Sequence, residues 1–260
     1  MSLVLRAIWN IFDKNFSLIG ILLIWQSSCD LGLISKNILA SPLDVLASGW
    51  SLLKSGDLLT HMSVSFLRAL SGLALGVSLG TMLALLSGLS DWGRRIVDGP
   101  VQAPRALPFL GLVPLFILWF GIGEMPKIAL VALATTFPIY INLLSGIRGV
   151  DSKLMEAGIC FGLSRTEQIV HVVLPGAAPS FLTGLRHALT VSWLSLVAAE
   201  QINATQGVGY LILQAREFLR TDIMLVGLTV YALLGVSTNA LVQAIERRAL
   251  AWRAPVGVEA

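Results

Sequence analysis

Charge is scarce in this sequence: Asp, Glu, Lys and Arg make up 13% of its 260 residues, about half of what soluble chains carry. That deficit excludes an ordinary water-facing surface over most of the chain. The formal net charge is only +3, and the Lys and Arg residues gather in particular loops, so no basic tract for nucleic acid exists. Cys29 and Cys160 fall on different segments and supply neither a disulfide framework nor a metal cluster. His61, His171 and His187 are equally scattered, with no carboxylate at metal-ligand spacing. Also missing are an H-E-x-x-H pair, a G-x-S-x-G elbow and a G-x-x-x-x-G-K-[ST] phosphate loop. Gly121-Ile-Gly123 and Gly207-Val-Gly209 lack the third glycine and the strand of a dinucleotide fingerprint and read as turns. An intramembrane enzyme would have to assemble its site from dispersed residues. Any nucleotide chemistry would have to come from another subunit.

What the chain has in quantity is apolar length. Hydrophobic residues make up 55% of it, in runs long enough to cross about 30 Å of hydrocarbon. The reading is an all-α, polytopic membrane protein. Spans are expected at about 16–34, 58–89, 100–120, 127–147, 178–199 and 223–245, between a polar start at 1–15 and a basic tail at 247–260. An uncleaved first span is favoured over a signal peptide because further spans follow. The stripe Gly72, Gly76, Gly80, Ala84, Gly88 recurs every four residues and would let a neighbouring helix backbone approach closely. Prolines at 100, 104, 108 and 114 imply a broken or kinked entry to the third run, after a short loop at 91–99. Pro42 and Asp44 open a short helix, Pro138 is a possible bend, and Glu200–Asp222 is a mixed polar segment.

The exception is residues 149–176, which read as a small soluble motif. Asp151 can cap a helix reaching about Phe161, and Gly162 can end it in the left-handed conformation. Ser164-Arg-Thr-Glu167 fits a capping box opening a second helix, which Pro175 should stop. Counting bases near span ends places Arg94, Arg95, Arg148, Lys153, Arg165, Arg247 and six others on one side, twelve in all. Six, Lys36, Lys54, Arg68, Lys127, Arg216 and Arg220, fall on the other. The positive-inside rule then makes the first side cytoplasmic, with both termini and this motif. Arg68, Arg105, Arg186 and Glu200 sit near span ends, where snorkelling or pairing between helices competes with substrate contact. Asn142, Ser192 and Ser195 lie deeper. With Glu200, they are candidates to line a polar path or to bond neighbouring helices.

Glu156-Ala157-Gly158, Gly162, Ile169 and Leu174-Pro175 resemble the cytoplasmic EAA loop of ATP-binding-cassette importer permeases, departing only in having Gly158 at the third position. Further stretches, among them Val113-Pro-Leu-Phe-Ile-Leu-Trp-Phe-Gly121 and Phe137-Pro-Ile-Tyr-Ile-Asn142, resemble the nitrate/sulfonate/taurine/bicarbonate branch. Asn203 to Tyr210 and Ala215 to Asp222 look most like its permeases for aliphatic sulfonates. The resemblance implies a type I importer permease fold with about six transmembrane helices in the bacterial inner membrane. It implies a coupling helix in which Glu156, Ala157, Gly158, Gly162, Leu163, Ile169, Leu174 and Pro175 dock an ATPase subunit. The expected assembly holds a second permease copy, embedded with this chain in membrane lipid, two ATPase subunits that bind ATP and Mg, and a periplasmic solute-binding protein. No cofactor is expected in this chain. Taurine, nitrate or a pyrimidine precursor are the alternative cargoes.

Overall fold

The structure is a computed structural model that describes residues 19–35, 38–102 and 109–251. Every regular element among them is helical. Helix α1 occupies residues 19–30. It is followed by α2 (Pro42–Ser55), α3 (Asp57–Leu89), α4 (Asp91–Gln102), α5 (Phe109–Phe120) and α6 (Met125–Arg148). Then come α7 (Ser152–Cys160), α8 (Arg165–Gln168), α9 (Leu174–Asn203), α10 (Val208–Glu217) and α11 (Thr221–Ala249). Among the described residues four helices are long and apolar enough to cross a membrane: α3, α6, the continuous Arg165–Ile202 helix and α11. The expected third span is not one helix. Its apolar part, α5, has 12 residues, only about 18 Å at 1.5 Å per residue. Residues 100–102 belong instead to α4. The supposed 91–99 loop is therefore helical. The expected first span is described only from residue 19, and Arg105 and the 252–260 tail lie outside the described residues.

Helix α6 is the centre of the molecule, packed between α3 and α9. On the α3 side, a Cβ at Gly72 would fall 2.6 Å from Val131, and one at Gly80 would fall 2.6 Å from the Thr136 carbonyl and 2.9 Å from Ile139. The four-residue stripe is thus an interhelical seam along which the backbones of α3 and α6 touch. The α9 side repeats the device. Gly146 meets Ser180 and the Ala177 carbonyl, and Gly184 meets Asn142 and the Pro138 carbonyl. Pro138 lies inside α6, and Asn142 Nδ2 donates to its carbonyl at 2.8 Å.

Three apolar clusters follow from this arrangement. At one end Val131, Trp193, Leu196, Val208, Ile212, Val230 and Tyr231 join α6 and α9 to α10 and α11. At the other, Ala84, Tyr140, Leu144, Ile147, Val173 and Ala177 join α3, α6 and the start of α9. The short α5 docks through Val113 and Phe116 onto Leu130 and Ala199. Many large apolar side chains remain exposed, Leu67, Leu118, Leu194, Leu233 and Val236 among them, as expected where hydrocarbon or another helix is the solvent.

Gly80→Val forces a branched side chain into the α3–α6 seam and should destabilise the fold by about 1–3 kcal/mol. Gly235→Ala, with nothing within 4 Å, should be neutral. Thermal unfolding of the two variants in one detergent compares them; equal midpoints would disprove the seam.

Candidate functional site: a capped loop and two buried polar clusters

The 149–176 motif folds largely as its residues dictate. Asp151 caps α7 by accepting from the Lys153 N–H at 2.9 Å. The chain turns at Gly162 with φ +80°, a conformation that suits glycine. Ser164 caps α8, and the reciprocal capping box is complete: Glu167 Oε2 accepts from the Ser164 N–H at 2.8 Å. Gly158 is buried with the Leu163 methyl 3.3 Å from where a Cβ would stand, so the third position of the motif must stay small. Glu156, Ala157, Leu174 and Pro175 are exposed, and so are Leu154, Ile159 and Phe161, the last at 86%. Ile169 and Leu163 are half-buried beneath them. A capped helical elbow thus presents an apolar surface beside the Glu156 carboxylate.

Pro175 does not stop the second helix, contrary to expectation. α8 passes through a π-helical turn, Ile169–Val173, directly into α9. A proline cannot donate to the carbonyl four residues back, and its ring collides with it. Widening the preceding turn, with the Leu174 N–H reaching Ile169 O, removes that collision and lets the helix continue. The motif is rigidly continuous with a transmembrane helix.

A polar cluster anchors this end. Asp98 of α4 accepts hydrogen bonds from Ser87 of α3, from Tyr140 of α6 at 2.8 Å, and from Arg148 at 2.9 Å. Arg148 also donates to Ser87 Oγ at 3.1 Å, and Arg165 of α8 donates to the Leu89 carbonyl at 3.1 Å. The Ser87 hydroxyl first, then Arg148 and Tyr140, hold the Asp98 carboxyl down at about 2.

The opposite end holds a larger cluster. Glu200, near the end of α9, is fully buried. Its carboxylate accepts from Ser65 Oγ at 2.8 Å, Arg68 Nη1 at 2.7 Å, the Gly209 N–H at 2.8 Å and Tyr231 OH at 2.9 Å. Four donors complete its shell, which makes a buried charge tolerable. Arg68, 4% exposed, also donates to the Gln206 carbonyl at 2.6 Å and makes a two-pronged pair with Glu124. Lys127 joins Glu124 at 3.2 Å. The Arg68 guanidinium beside Glu124 holds that carboxyl below the usual carboxylate range. Ser65 accepts from the Val208 N–H at 2.8 Å and His61 Nδ1 from the Gly207 N–H at 3.0 Å. A Cβ at Gly207 would fall 2.5 Å from the Glu200 carboxylate, and one at Gly209 2.6 Å from Glu200 Cβ. The two glycines expected only as turn formers let the backbone close on this carboxylate.

Arg68 and Glu200 therefore pair between helices rather than snorkel. Arg186 pairs with Glu246 of α11. Ser192 and Ser195 are buried, and Ser195 Oγ donates back to the Val191 carbonyl at 2.8 Å. Asn142 is half-buried at the α6–α9 crossing. Ser65, Glu124, Tyr231 and Asp98 escaped the sequence reading. The available signal was that the intramembrane cation Arg68 needs a partner, and Glu124 and Glu200 stand at span ends on the same side.

Comparison with known proteins bears on this arrangement. Residues 76–250 match the family described as "Binding-protein-dependent transport system inner membrane component". Over 234 residues, 90% of this chain and 89% of the relative, the sequence is 48% identical to a protein of Escherichia coli (strain K12) named as the aliphatic sulfonates transport permease SsuC. It is 36% identical over 91% of its length to 88% of the taurine transport system permease TauC of the same organism. In fold it resembles a chain of an amino acid ABC transporter crystallised with histidines. The TM-score is 0.64 at 17% identity, covering 76% of this chain and 97% of that one.

Glu200→Ala would leave Arg68, Ser65, Tyr231 and the Gly209 N–H without their acceptor and should cost about 3–5 kcal/mol, read as a lowered unfolding midpoint; an unchanged midpoint would contradict the anchoring role. Asp98 has its pKa depressed below the ordinary 3.8, so its stabilisation is complete above about pH 4 and is lost as pH falls through about 2. The difference in unfolding midpoint between wild type and Asp98→Asn should be clear at pH 6 and vanish near pH 2.

Proposed function

We propose that this chain, which belongs to the family of binding-protein-dependent inner-membrane transport components, is the permease subunit of an ATP-driven importer of aliphatic sulfonates. The observation that carries the reading is the 48% identity to SsuC over 90% of the chain, against 36% to TauC. Taurine is the second cargo reading. It is itself a sulfonate, and the 36% identity to TauC supports it.

In this reading two copies of the chain form the path, in the bacterial inner membrane with both termini cytoplasmic. A periplasmic binding protein delivers the cargo, and two ATPase subunits, which bind ATP and Mg, dock at the Glu156 loop. The exposed carboxylate of Glu156 and the apolar side chains of Leu154, Ile159 and Phe161 suit a groove on another protein. Ala157, Gly158, Gly162, Leu163, Ile169, Leu174 and Pro175 give the loop its shape. Closure of the ATPases would push on this loop, and the π-helical turn would carry the push into α9 without a flexible joint. The path would follow α6 and α9, which carry Asn142, Ser192, Ser195 and Glu200. Asn142, half-buried, is the most accessible of the four.

Glu156→Arg reverses the charge of the docking face and leaves both caps intact. It should reduce ATPase subunit recovered on co-purification at least several-fold and abolish uptake. Full recovery with normal uptake would refute the docking assignment. Growth with ethanesulfonate or taurine as sole sulfur source, with and without this chain, separates the two cargoes.

A further inference from the structure

We infer that Arg68 and Lys127 form a substrate-anion site at the end of the bundle opposite the Glu156 loop, which the chain's own Glu124 carboxylate occupies in this structure and a sulfonate group takes over during transport. This rests on the sulfonate reading above and adds to it a place on the permease where the charged end of the cargo is held.

Both cations are more than nine-tenths buried, Arg68 and Lys127 each at 4% exposure. The carboxylate they hold is not: the Glu124 side chain is 55% exposed. Of the three, Glu124 is the member that water and ligands reach. Its carboxylate receives Arg68 through Nε and Nη2 and Lys127 through Nζ. That fork plus a third donor suits the three oxygens of a sulfonate as well as the two of a carboxylate.

Charge balance points the same way. Arg68 also holds Glu200 at 2.7 Å, through Nη1 rather than the two nitrogens that Glu124 takes. With Glu124 withdrawn, Arg68, Lys127 and Glu200 sum to one positive charge, which a monovalent anion neutralises. The site also lies at the first turn of α6, whose dipole favours an anion.

The structure also provides room. A cavity of about 390 Å³ opens beside the pair, walled by Val64, Leu67, Ser71 and Ile128, apolar enough for a short alkyl chain. Glu124 follows Gly121 and Gly123, with φ of +76° and +153°. At these two positions glycine can take other backbone conformations at no steric cost, so a withdrawal of Glu124 would meet no side-chain strain there.

The test uses the purified full-length chain and sodium ethanesulfonate as probe, at constant ionic strength against sodium chloride, read by calorimetric binding and by shift of the unfolding midpoint. Glu124→Gln keeps the hydrogen-bonding shape and removes the competing charge. It should bind ethanesulfonate about tenfold more tightly than wild type. Lys127→Met should weaken binding about tenfold in the wild-type background and erase the gain in the Glu124→Gln background. The Lys127→Met arm reads the same site even if Glu124→Gln fails to fold. A folded Glu124→Gln with no gain, or a gain that survives Lys127→Met, overturns the site. A gain for sodium nitrate without one for ethanesulfonate overturns it as a sulfonate site and the cargo reading together. Normal ethanesulfonate-dependent growth with no gain for either anion overturns the site alone.

Discussion

The position of Glu200, a carboxylate with no exposed surface in a chain built for hydrocarbon, constrains more of this structure than any other residue. An ion so placed is tolerable only if donors surround it, and those donors come from three elements other than its own. Ser65 and Arg68 commit α3, the Gly209 N–H commits the start of α10, Tyr231 commits α11, and α9 carries the carboxylate itself. The same requirement explains local details that look unrelated. Gly207 and Gly209 are glycines because a Cβ at either would enter the carboxylate's space. Ser65 both donates to Glu200 and accepts from Val208, so the first turn of α10 has one permitted position. The opposite end of the bundle, around Leu144, Ile147 and Val173, relies on shape and on the Asp98 cluster at its rim.

Two kinds of contact therefore share the task of holding the helices. Along the middle, glycines of α3 and α6 allow backbone-to-backbone approach, and dispersion supplies the attraction where lipid offers no hydrophobic gain. At the ends, charged and hydroxyl side chains fix register and orientation. The seam is uniform along its length and would tolerate a slip of four residues. The end clusters would not, since a slip separates Arg68 from Glu200 and Ser87 from Asp98.

How much of this was legible in the sequence depends on the range over which each feature is decided. The capped loop was legible nearly residue by residue, because Asp151, Gly162, Ser164 and Glu167 act on backbone within a few positions of themselves. The small-residue stripe declared a helix contact but not its partner. Pro175 misled because a proline normally ends a helix, and the neighbouring turn absorbed it by widening, a response set by the continuation into α9 rather than by local sequence. Helix α4 was missed because Gly93, Gly99 and Pro100 argue for a loop; its order is supported by the contacts of Asp98 with Ser87, Tyr140 and Arg148. The Glu200 cluster draws on residues more than a hundred positions apart. Periodicity carries no information at that distance.

The widened turn at Ile169–Val173 has a mechanical meaning. Because Arg165 to Ile202 is one continuous helix of 38 residues, with the widened turn and Pro179 inside it, its length is at most about 57 Å at 1.5 Å per residue. A tilt of about 5° imposed at the Ser164 end would carry the far tip through roughly 5 Å on that length. That tip bears Glu200, and through it the two glycines that seat α10. A lever of this kind needs no chain of relayed side-chain shifts: a force applied outside the membrane on one face reaches the opposite face as displacement, enlarged by the length of the arm.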